Sequence, residues 1–489
     1  MASTIPSPII LDLDGDGIET TKQGQGAYFD HDANGFAEST GWAGADDGLL
    51  VRDLDGNGSI DSGRELLGSE TLLANGQKAA NGFASLAELD ANQDGKLDAN
   101  DAAFASLKVW KDADGDGFTS DGELLTLDQA GVQSLNVGYT ASSQVDANGN
   151  QHKQVGSYTT TAGQTRTATD VWFQANKMDS LAADWWAVSA DIAALPDMQG
   201  YGNVYDLHQT MARDASLTTL VTQFTQAASA TARETLLQSI IYKWAGVENI
   251  NPTSRAASMI YGNAIGDARK LAALEAFTGE NWYGVWCWGT RDPNPHGRAA
   301  PVLLQAYAQL SEFIYGQLTA QSALKPLYDK ISYAWDEDSQ RLKGDLGGVV
   351  SVVADSIAAN RAEGLAQLAE LGRTMKGMGV LGSLNTDAFQ QALAPLGADV
   401  VGAISSAWAG LVATGNSDVF SGGSGSDYLR GLGGNDSLSG NGGDDFLDGG
   451  SGNDQLYGGA GNDTYLFAQG GGLDMIMDSD AIGNNDVLR

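Results

Sequence analysis

Between Gly422 and Leu466 one nine-residue unit runs five times without a break: Gly422–Arg430, then units beginning at Gly431, Gly440, Gly449 and Gly458. Each unit has glycine at its first and fourth places (the fourth being Gly425, Gly434, Gly443, Gly452 and Gly461) and aspartate at its sixth (Asp427, Asp436, Asp445, Asp454 and Asp463). Two places further on comes Leu429, Leu438, Leu447, Leu456 or Tyr465. A period held this strictly predicts a solenoid, because each unit can alternate a tight turn with a short strand and stack its inward residue on the next. Glycine supplies the positive φ of the turn and lets backbone carbonyls converge. A flexible Gly/Asp-rich linker has no reason to keep one period.

The fixed aspartate adds a hard carboxylate oxygen to those carbonyls, a donor set that suits Ca²⁺. In this the repeat resembles the calcium-binding nonapeptide of RTX proteins. That resemblance implies a parallel β-roll with ions held between turns, the Asp side chains and the fourth-place Gly carbonyls serving as ligands.

A second set of acidic loops occupies roughly residues 8–125. Asp112-Ala-Asp114-Gly-Asp116-Gly117-Phe118 with Glu123 matches the twelve-residue EF-hand loop at its key places. Asp112, Asp114 and Asp116 would give side-chain oxygens, Phe118 its carbonyl, and Glu123 two oxygens that close the sphere. Asp90, Asn92, Asp94, Lys96 (through its carbonyl), Asp98 and Asp101 form a similar loop, closed by the shorter Asp101. Apolar spacing predicts a helix over 83–89 before it and another over 102–107 after it, an EF-hand pair in which Leu97 lies in the small strand joining adjacent loops. Asp53, Asp55, Asn57 and Asp61 begin a third loop, with Glu65 one place beyond the usual closing position. Two more begin correctly, Asp12-Leu-Asp14-Gly-Asp16 and Asp30-His-Asp32-Ala-Asn34, but carry Gln23 and Gly41 where an acid should close them. Glu19, Glu38, Asp46 and Asp47 are the candidates to complete these. Asp146-Ala-Asn148-Gly-Asn150 lacks a closing acid and reads as an ordinary Asn-Gly turn.

The order Pro8-Ile-Ile-Leu-Asp-Leu-Asp-Gly-Asp-Gly17, Thr40-Gly-Trp42, Asp46 to Gly58, Ala87-Glu-Leu-Asp90 and Val109-Trp110-Lys-Asp112 resembles the self-processing module of FrpC-like RTX exoproteins over residues 7–175. The resemblance implies a calcium-triggered autoprotease that cleaves an Asp-Pro bond at its N-terminal edge and can couple the freed aspartyl group to a lysine amine. Such chemistry needs aspartate before proline, since its carboxyl attacks its own carbonyl carbon to form a cyclic anhydride. This chain has Ser7-Pro8 there. Serine cannot form the anhydride, so no catalytic residue is assigned and the scaffold is expected without the cleavage. The other Asp-Pro pair, Asp292-Pro293, reads as a turn.

The 489 residues include 62 acidic and 27 basic side chains, a formal charge of −35. Nucleic acid and anionic membrane surfaces are thereby disfavoured as partners. Each Ca²⁺ offsets two charges, so about ten ions would remove more than half of the excess. The single cysteine, Cys287 in Trp286-Cys287-Trp288, excludes an intrachain disulfide and reads as a buried structural thiol. No apolar run is long enough to span a bilayer, and no signal peptide precedes Pro8. The RTX resemblance implies type I secretion machinery as a partner and an extracellular location. The chain ends at Arg489 within the Asp-rich tract Asp474 to Asp480, which suggests a fragment with more sequence beyond.

Residues 126–175 read as a small sheet or extended tail completing the first module. From about 200 to 410 helical spacing takes over, with stripes at Leu217, Leu220, Val221 and Phe224, at Leu303, Tyr307, Leu310 and Ile314, and at Leu365, Leu368 and Leu371. His208 and His296 are too isolated for a site, the Trp residues are expected in the core, and GxSxG, HExxH and P-loop motifs are absent. The expected fold is multidomain α+β: an EF-hand-like calcium module with a small β region (1–175), a central all-α domain (176–410) and a C-terminal parallel β-roll (411–489). The expected function is that of a secreted calcium-binding RTX protein that folds on meeting extracellular Ca²⁺, with a self-processing module or a cytolysin or adhesin effector in the helical part as alternatives.

Overall fold

The run Ile9-Ile10-Leu11 is apolar at every position, which a strand tolerates only when both its faces are covered. The computed structural model bears this out, and it describes residues 3–4, 7–255, 265–285, 291–292, 295, 299–337, 340–411, 417–467, 470–477 and 485–488. Cys287 with Trp286 and Trp288, Pro293, His296 and the acids Asp478 and Asp480 lie outside these residues. The chain divides into two compact units, residues 1–186 with 200–205 and 275–281, and residues 187–199 with 206–274 and 282–489.

The first unit is built on a nine-stranded sheet in the order Lys96–Leu97, Val132–Asn136, Gln151–Thr160, Thr165–Trp172, Ile9–Leu11, Gly48–Val51, Lys108–Trp110, Leu124–Thr126, with Thr140–Val145 paired to Gln151–Thr160. Its named pairings are all antiparallel. Alternation along the strands sends Ile10, Leu49, Val51, Trp110 and Val171 into one core and Ile9, Leu11, Leu50, Val109 and Ala168 into another. The first core is aromatic: Trp42 packs on Phe29 at 5.1 Å, Trp110 at 5.4 Å and Phe173 at 5.7 Å. Of residues 126–175, expected as a small sheet or tail, the strands up to Trp172 are instead integral to this large sheet, and Gln174–Ala182 belongs to a separate four-stranded one.

The EF-hand-pair order does not hold. A helix at Gly82–Leu89 leads into the Asp90 loop, capped by the Asn81 side chain, which accepts from the Ala84 N–H at 2.8 Å. Beyond that loop only a 3₁₀ turn, Phe104–Ser106, replaces the expected second helix. The Asp112 loop then joins two paired strands, Lys108–Trp110 and Leu124–Thr126. Leu97 is in a short strand as expected, but it pairs with Leu135 and not with a neighbouring loop. Loop sequence fixes the local turn; the flanking residues pack into a sheet, and that tertiary context overrides the helical reading.

The second unit combines helices with the repeats. Its helices include Leu207–Arg213, Ala215–Gln226, Ala230–Trp244, Ala300–Ala320, Gly347–Ala359, Arg361–Gly377, Thr386–Leu393 and Ala398–Ala409. The predicted stripes face inward: Leu217, Val221 and Phe224 are buried, as are Tyr307 and Ile314, and Leu365, Leu368 and Leu371. The region is helical but not purely so, since Ser332–Asp336 and Arg341–Asp345 form an antiparallel hairpin. His208 is held structurally, Nδ1 at 3.3 Å from Asp197 and Nε2 at 3.0 Å from the Leu195 carbonyl. No helix among the described residues is long and apolar enough to cross a membrane.

The repeats form a parallel β-roll. One sheet runs Val419–Ser421, Ser437–Gly442, Gln455–Ala460, Met475–Met477, and the other Tyr428–Arg430, Phe446–Asp448, Thr464–Leu466, Val487–Leu488. Leu438 pairs with Leu456 and Leu429 with Leu447, so each coil takes two nonapeptides. Leu429, Leu438, Leu447, Leu456 and Tyr465 fill the interior. Outside the roll, Tyr428 and Phe446 stack at 4.9 Å and join the core formed by Val349, Val353, Leu368, Val400 and Ile404.

Candidate metal centres

The acidic loops of the first unit share one construction. Their first aspartate turns back and accepts N–H groups of its own loop. Asp112 takes Gly115 at 2.8 Å and Gly117 at 2.9 Å. Asp53 takes Gly56 at 2.8 Å and Gly58 at 3.2 Å. Asp90 takes Asp94 at 3.3 Å and Gly95 at 2.9 Å, and Asp30 takes Asn34 at 3.0 Å and Gly35 at 2.7 Å. Asp12 takes Gly15 at 2.6 Å. Glycine is required where the loop reverses, as at Gly117, whose φ is +81° and whose Cα lies against the Tyr28 backbone.

The closing acids are equally alike. Glu123 accepts from Ala113 at 3.0 Å and Ser120 at 2.9 Å, Glu65 from Leu54 and Asp61 at 3.0 Å each, and Asp101 from Ala91 at 2.9 Å and Asp98 at 3.1 Å. Glu65 thus occupies the closing place despite its one-residue offset. Carboxylate oxygens converge within 4.8 Å in three groups: Asp12, Asp14 and Asp16; Asp53, Asp55 and Glu65; Asp112, Asp114 and Asp116. Among the described residues, the Asp30, Asp32, Asn34 loop and the Asp90, Asn92, Asp94, Asp98, Asp101 loop do not form such a group. Asn57 bonds Asp55 at 3.1 Å and Asp61 at 3.0 Å. The Lys96 and Phe118 amides bond Asp94 at 3.0 Å and Asp116 at 2.7 Å, keeping both residues in their loops.

Two incomplete loops meet acids from elsewhere in the unit. Asp47, buried, accepts from the Glu19 N–H at 2.8 Å, and its other oxygen has no hydrogen-bond partner. Burial and the charges of Glu19 and Asp12 push its pKa up to about 7. Glu38 accepts from the His31 N–H at 3.1 Å inside the Asp30 loop and is pushed up to about 8 by burial and Asp32. Such shifts record carboxylates crowded where a cation would relieve them.

In the roll the sixth-place aspartates make a column. Asp427 N–H donates to Asp445 Oδ1, Asp436 N–H to Asp454 Oδ1, and Asp445 N–H to Asp463 Oδ1, each at 2.8 Å. The second oxygens of Asp436, Asp445 and Asp454 are buried without a hydrogen-bond partner. A Cβ on Gly422 would fall 2.6 Å from Asp427 Oδ2 and 2.8 Å from the Gly440 carbonyl, and the first-place glycines Gly431 and Gly440 leave the same opening beside Asp436 and Asp445. Carboxylate and carbonyl oxygens therefore converge on a gap that only glycine leaves free, a donor set that fits Ca²⁺. Burial first, and neighbouring aspartates second, push Asp436 and Asp445 up to about 7 and also raise Asp454. The fourth-place glycines Gly434, Gly443, Gly452 and Gly461 take positive φ from +109° to +141°, and a Cβ on Gly443, Gly452 or Gly461 would meet the backbone of Gly425, Gly434 or Gly443 in the coil before.

Three features had no counterpart in the sequence reading. Trp42 Nε1 donates to Asp112 at 2.7 Å, tying the aromatic core to a loop. Ser406 Oγ bonds Asp427 at 3.2 Å and accepts from Tyr428 N–H at 3.0 Å, tying a helix to the roll. Asp170, fully buried, faces Ser7 and accepts from the Gly82 N–H at 2.8 Å. An aromatic residue recurring one place after the aspartate, at Tyr428 and Phe446, was the available signal for the second.

Comparison with known proteins agrees with this layout. The SPM domain family matches residues 9–174, and the RTX calcium-binding nonapeptide repeat (4 copies) matches residues 412–447 and 431–465. The iron-regulated protein FrpA of Neisseria meningitidis serogroup C is 35% identical over 399 residues, covering 74% of this chain and 35% of FrpA. The chain thus spans about a third of the length of that relative.

Proposed function

Taking as premise that the chain is an FrpA/FrpC-like RTX protein with calcium-binding repeats, we propose that Ca²⁺ acts as its folding cofactor and that the protein works outside the cell after type I secretion. The carrying observation is the run of buried aspartates Asp436, Asp445 and Asp454, each with a second oxygen that lacks a hydrogen-bond partner. In a low-calcium cytosol these carboxylates repel one another and the acidic segments stay expanded. Extracellular modules bind Ca²⁺ with dissociation constants on the order of 10⁻⁴–10⁻³ M, so the sites fill outside and stay empty inside. Binding to the folded state alone then makes stability rise with calcium. Asp427, Asp436, Asp445, Asp454 and Asp463 would hold ions in the roll, with carbonyls of the repeat glycines. In the first unit Asp12, Asp14 and Asp16, Asp53, Asp55 and Glu65, and Asp112, Asp114, Asp116 and Glu123 would hold others. Scanning calorimetry in chelator and in millimolar Ca²⁺ tests this reading; coincident melting curves would defeat it.

A second reading, self-processing at the edge of the first unit, is supported by the setting of the Ser7-Pro8 bond. The Ser7 carbonyl accepts the Ser69 N–H at 3.0 Å, the Pro8 carbonyl accepts the Val171 N–H at 3.0 Å, and Ser7 is buried. With serine in place of aspartate the bond stays intact, and Ser7→Asp restores cleavage in Ca²⁺. Intact-mass spectrometry reads this as loss of the seven residues before Pro8. An uncleaved Ser7→Asp protein, folded in calcium, would rule it out.

A further inference from the structure

Position 7 is held from several sides. Ser7 donates its N–H to Ser69 Oγ at 3.1 Å while its carbonyl accepts the Ser69 N–H at 3.0 Å. Gly68 makes this approach possible, because a Cβ there would collide with the Ser7 carbonyl oxygen. Pro8 bridges to Gly68, and the Ile9 N–H bonds the Leu67 carbonyl at 2.9 Å. On the other side, Asp170 lies opposite Ile9 in the sheet and is 0% exposed. Its Oδ2 is engaged by the Gly82 N–H, but neither its Oδ1 nor Ser7 Oγ, both buried, is closed by a well-formed hydrogen bond. The two side chains face each other, the Ser7 hydroxyl lowering the carboxyl's pKa, and a buried pair so loosely joined at one peptide bond is costly unless the site has a use for it.

We propose that Asp170 is the proton-holding partner of position 7, and that this chain retains the setting for peptide-bond cleavage there and lacks only the nucleophilic carboxyl. This rests on the self-processing reading above and adds to it a residue and a proton path. An aspartate at position 7 would place its carboxyl carbon where Ser7 Oγ now lies, against Asp170 Oδ1. Two buried carboxyls so placed share one proton. The charged carboxylate of residue 7 then attacks its own carbonyl carbon. The Ser69 N–H, already on that carbonyl, stabilises the negative oxygen as it forms. As the C–N bond to Pro8 breaks, the proton held by Asp170 goes to the leaving nitrogen, giving a neutral secondary amine, a cyclic anhydride and the Asp170 carboxylate. Water opens the anhydride to one carboxylic acid and one carboxylate, and its other proton returns to Asp170. No oxidant, reductant or further reactant is needed. Burial supports the role by pushing the Asp170 pKa up to about 6, against the Ser7 hydroxyl, the Gly82 N–H and the Lys153 charge, which oppose the rise.

The test uses the full chain in millimolar Ca²⁺, with cleavage followed by intact-mass spectrometry. Ser7→Asp should cleave. Ser7→Asp with Asp170→Asn should cleave about 100-fold more slowly, the usual worth of a positioned acid or base, and should lose the rate inflection that Asp170 titration gives. The amide can still accept from Gly82, so calcium-loaded circular dichroism should match the parent. Double-variant cleavage within about threefold of Ser7→Asp, with an unchanged pH profile, would overturn the role of Asp170 but leave self-processing intact. No cleavage in either variant would overturn both readings while leaving calcium-coupled folding untouched. A measurement free of variant folding is the ¹³C carboxyl titration of Asp170 in the unaltered chain: a midpoint well above that of an ordinary aspartate is expected, and an ordinary one would also overturn the proposal.

Discussion

Replacing Asp445 with asparagine separates its two roles in the roll. The amide oxygen can still accept the Asp427 N–H at the Oδ1 position, while the oxygen left without a partner becomes an uncharged amide group. Burial and the charges of Asp463, Asp427 and Asp444 push this carboxyl from 3.8 to about 7. Such a rise opposes charging at pH 8 by roughly 4 kcal/mol. Solvent at the coil edge screens part of this, leaving about 2 kcal/mol. The calcium-free roll should therefore gain about 2 kcal/mol from Asp445→Asn, because a buried charge is removed. With calcium, one anionic ligand is lost; a net loss of tenfold to a hundredfold in ion-linked stability corresponds to about 1.4–2.8 kcal/mol. The signs are opposite. In chelator the roll can be driven to fold with trimethylamine oxide, and the variant should need less of it. In millimolar Ca²⁺ a urea titration followed by circular dichroism should show the variant unfolding earlier. Destabilisation of the same size in both conditions would mean that the carboxylate is only a hydrogen-bond acceptor, and would refute the reasoning.

Trp42→Phe keeps most of the aromatic packing but leaves the buried Asp112 oxygen without its indole donor, so calcium-loaded stability should fall by about 1–3 kcal/mol in urea titration. Tyr428→Ala removes a ring shared by roll and helices; a loss of about 3–5 kcal/mol should appear at 222 nm, the helical signal, and not only in strand bands. Without calcium the raised pKa values of Asp436 and Asp445 mean that the folded roll binds protons more tightly than the unfolded chain does. Its stability is then greatest below the ordinary aspartate range and is lost as pH rises towards about 7, so chelated protein should gain strand signal on acidification. The helical stripes are buried in their own core, so calcium-loaded protein should release no dye from liposomes; leakage would favour a cytolytic role.

The repeat and the loops were legible because their candidate ligands sit at fixed local spacing. Asp427 to Asp463 and Asp112 to Glu123 can be read without knowing where the rest of the chain goes. Their surroundings were not legible in the same way. Whether Ala102–Leu107 becomes a helix depends on the strand that follows, and Lys108–Trp110 pairs with Gly48–Val51 far back in the chain. The same holds for Asp170 and Ser7, which meet only because Thr165–Trp172 pairs with Ile9–Leu11. In the roll, periodicity placed Leu429 and Leu447 inside, but it is silent on what covers the outer face where Tyr428 and Phe446 stack. Glu65 lies between these cases: its offset weakens the motif, and the fold brings it to the closing position.

Small-angle X-ray scattering of the chain across a calcium titration, from chelator to millimolar Ca²⁺, tests the ion-coupled account most directly. Crowded carboxylates without cations predict an expanded, multiphasic particle that contracts cooperatively as ions bind, with the contraction weakened in Asp445→Asn. A radius of gyration identical in chelator and in calcium would contradict it.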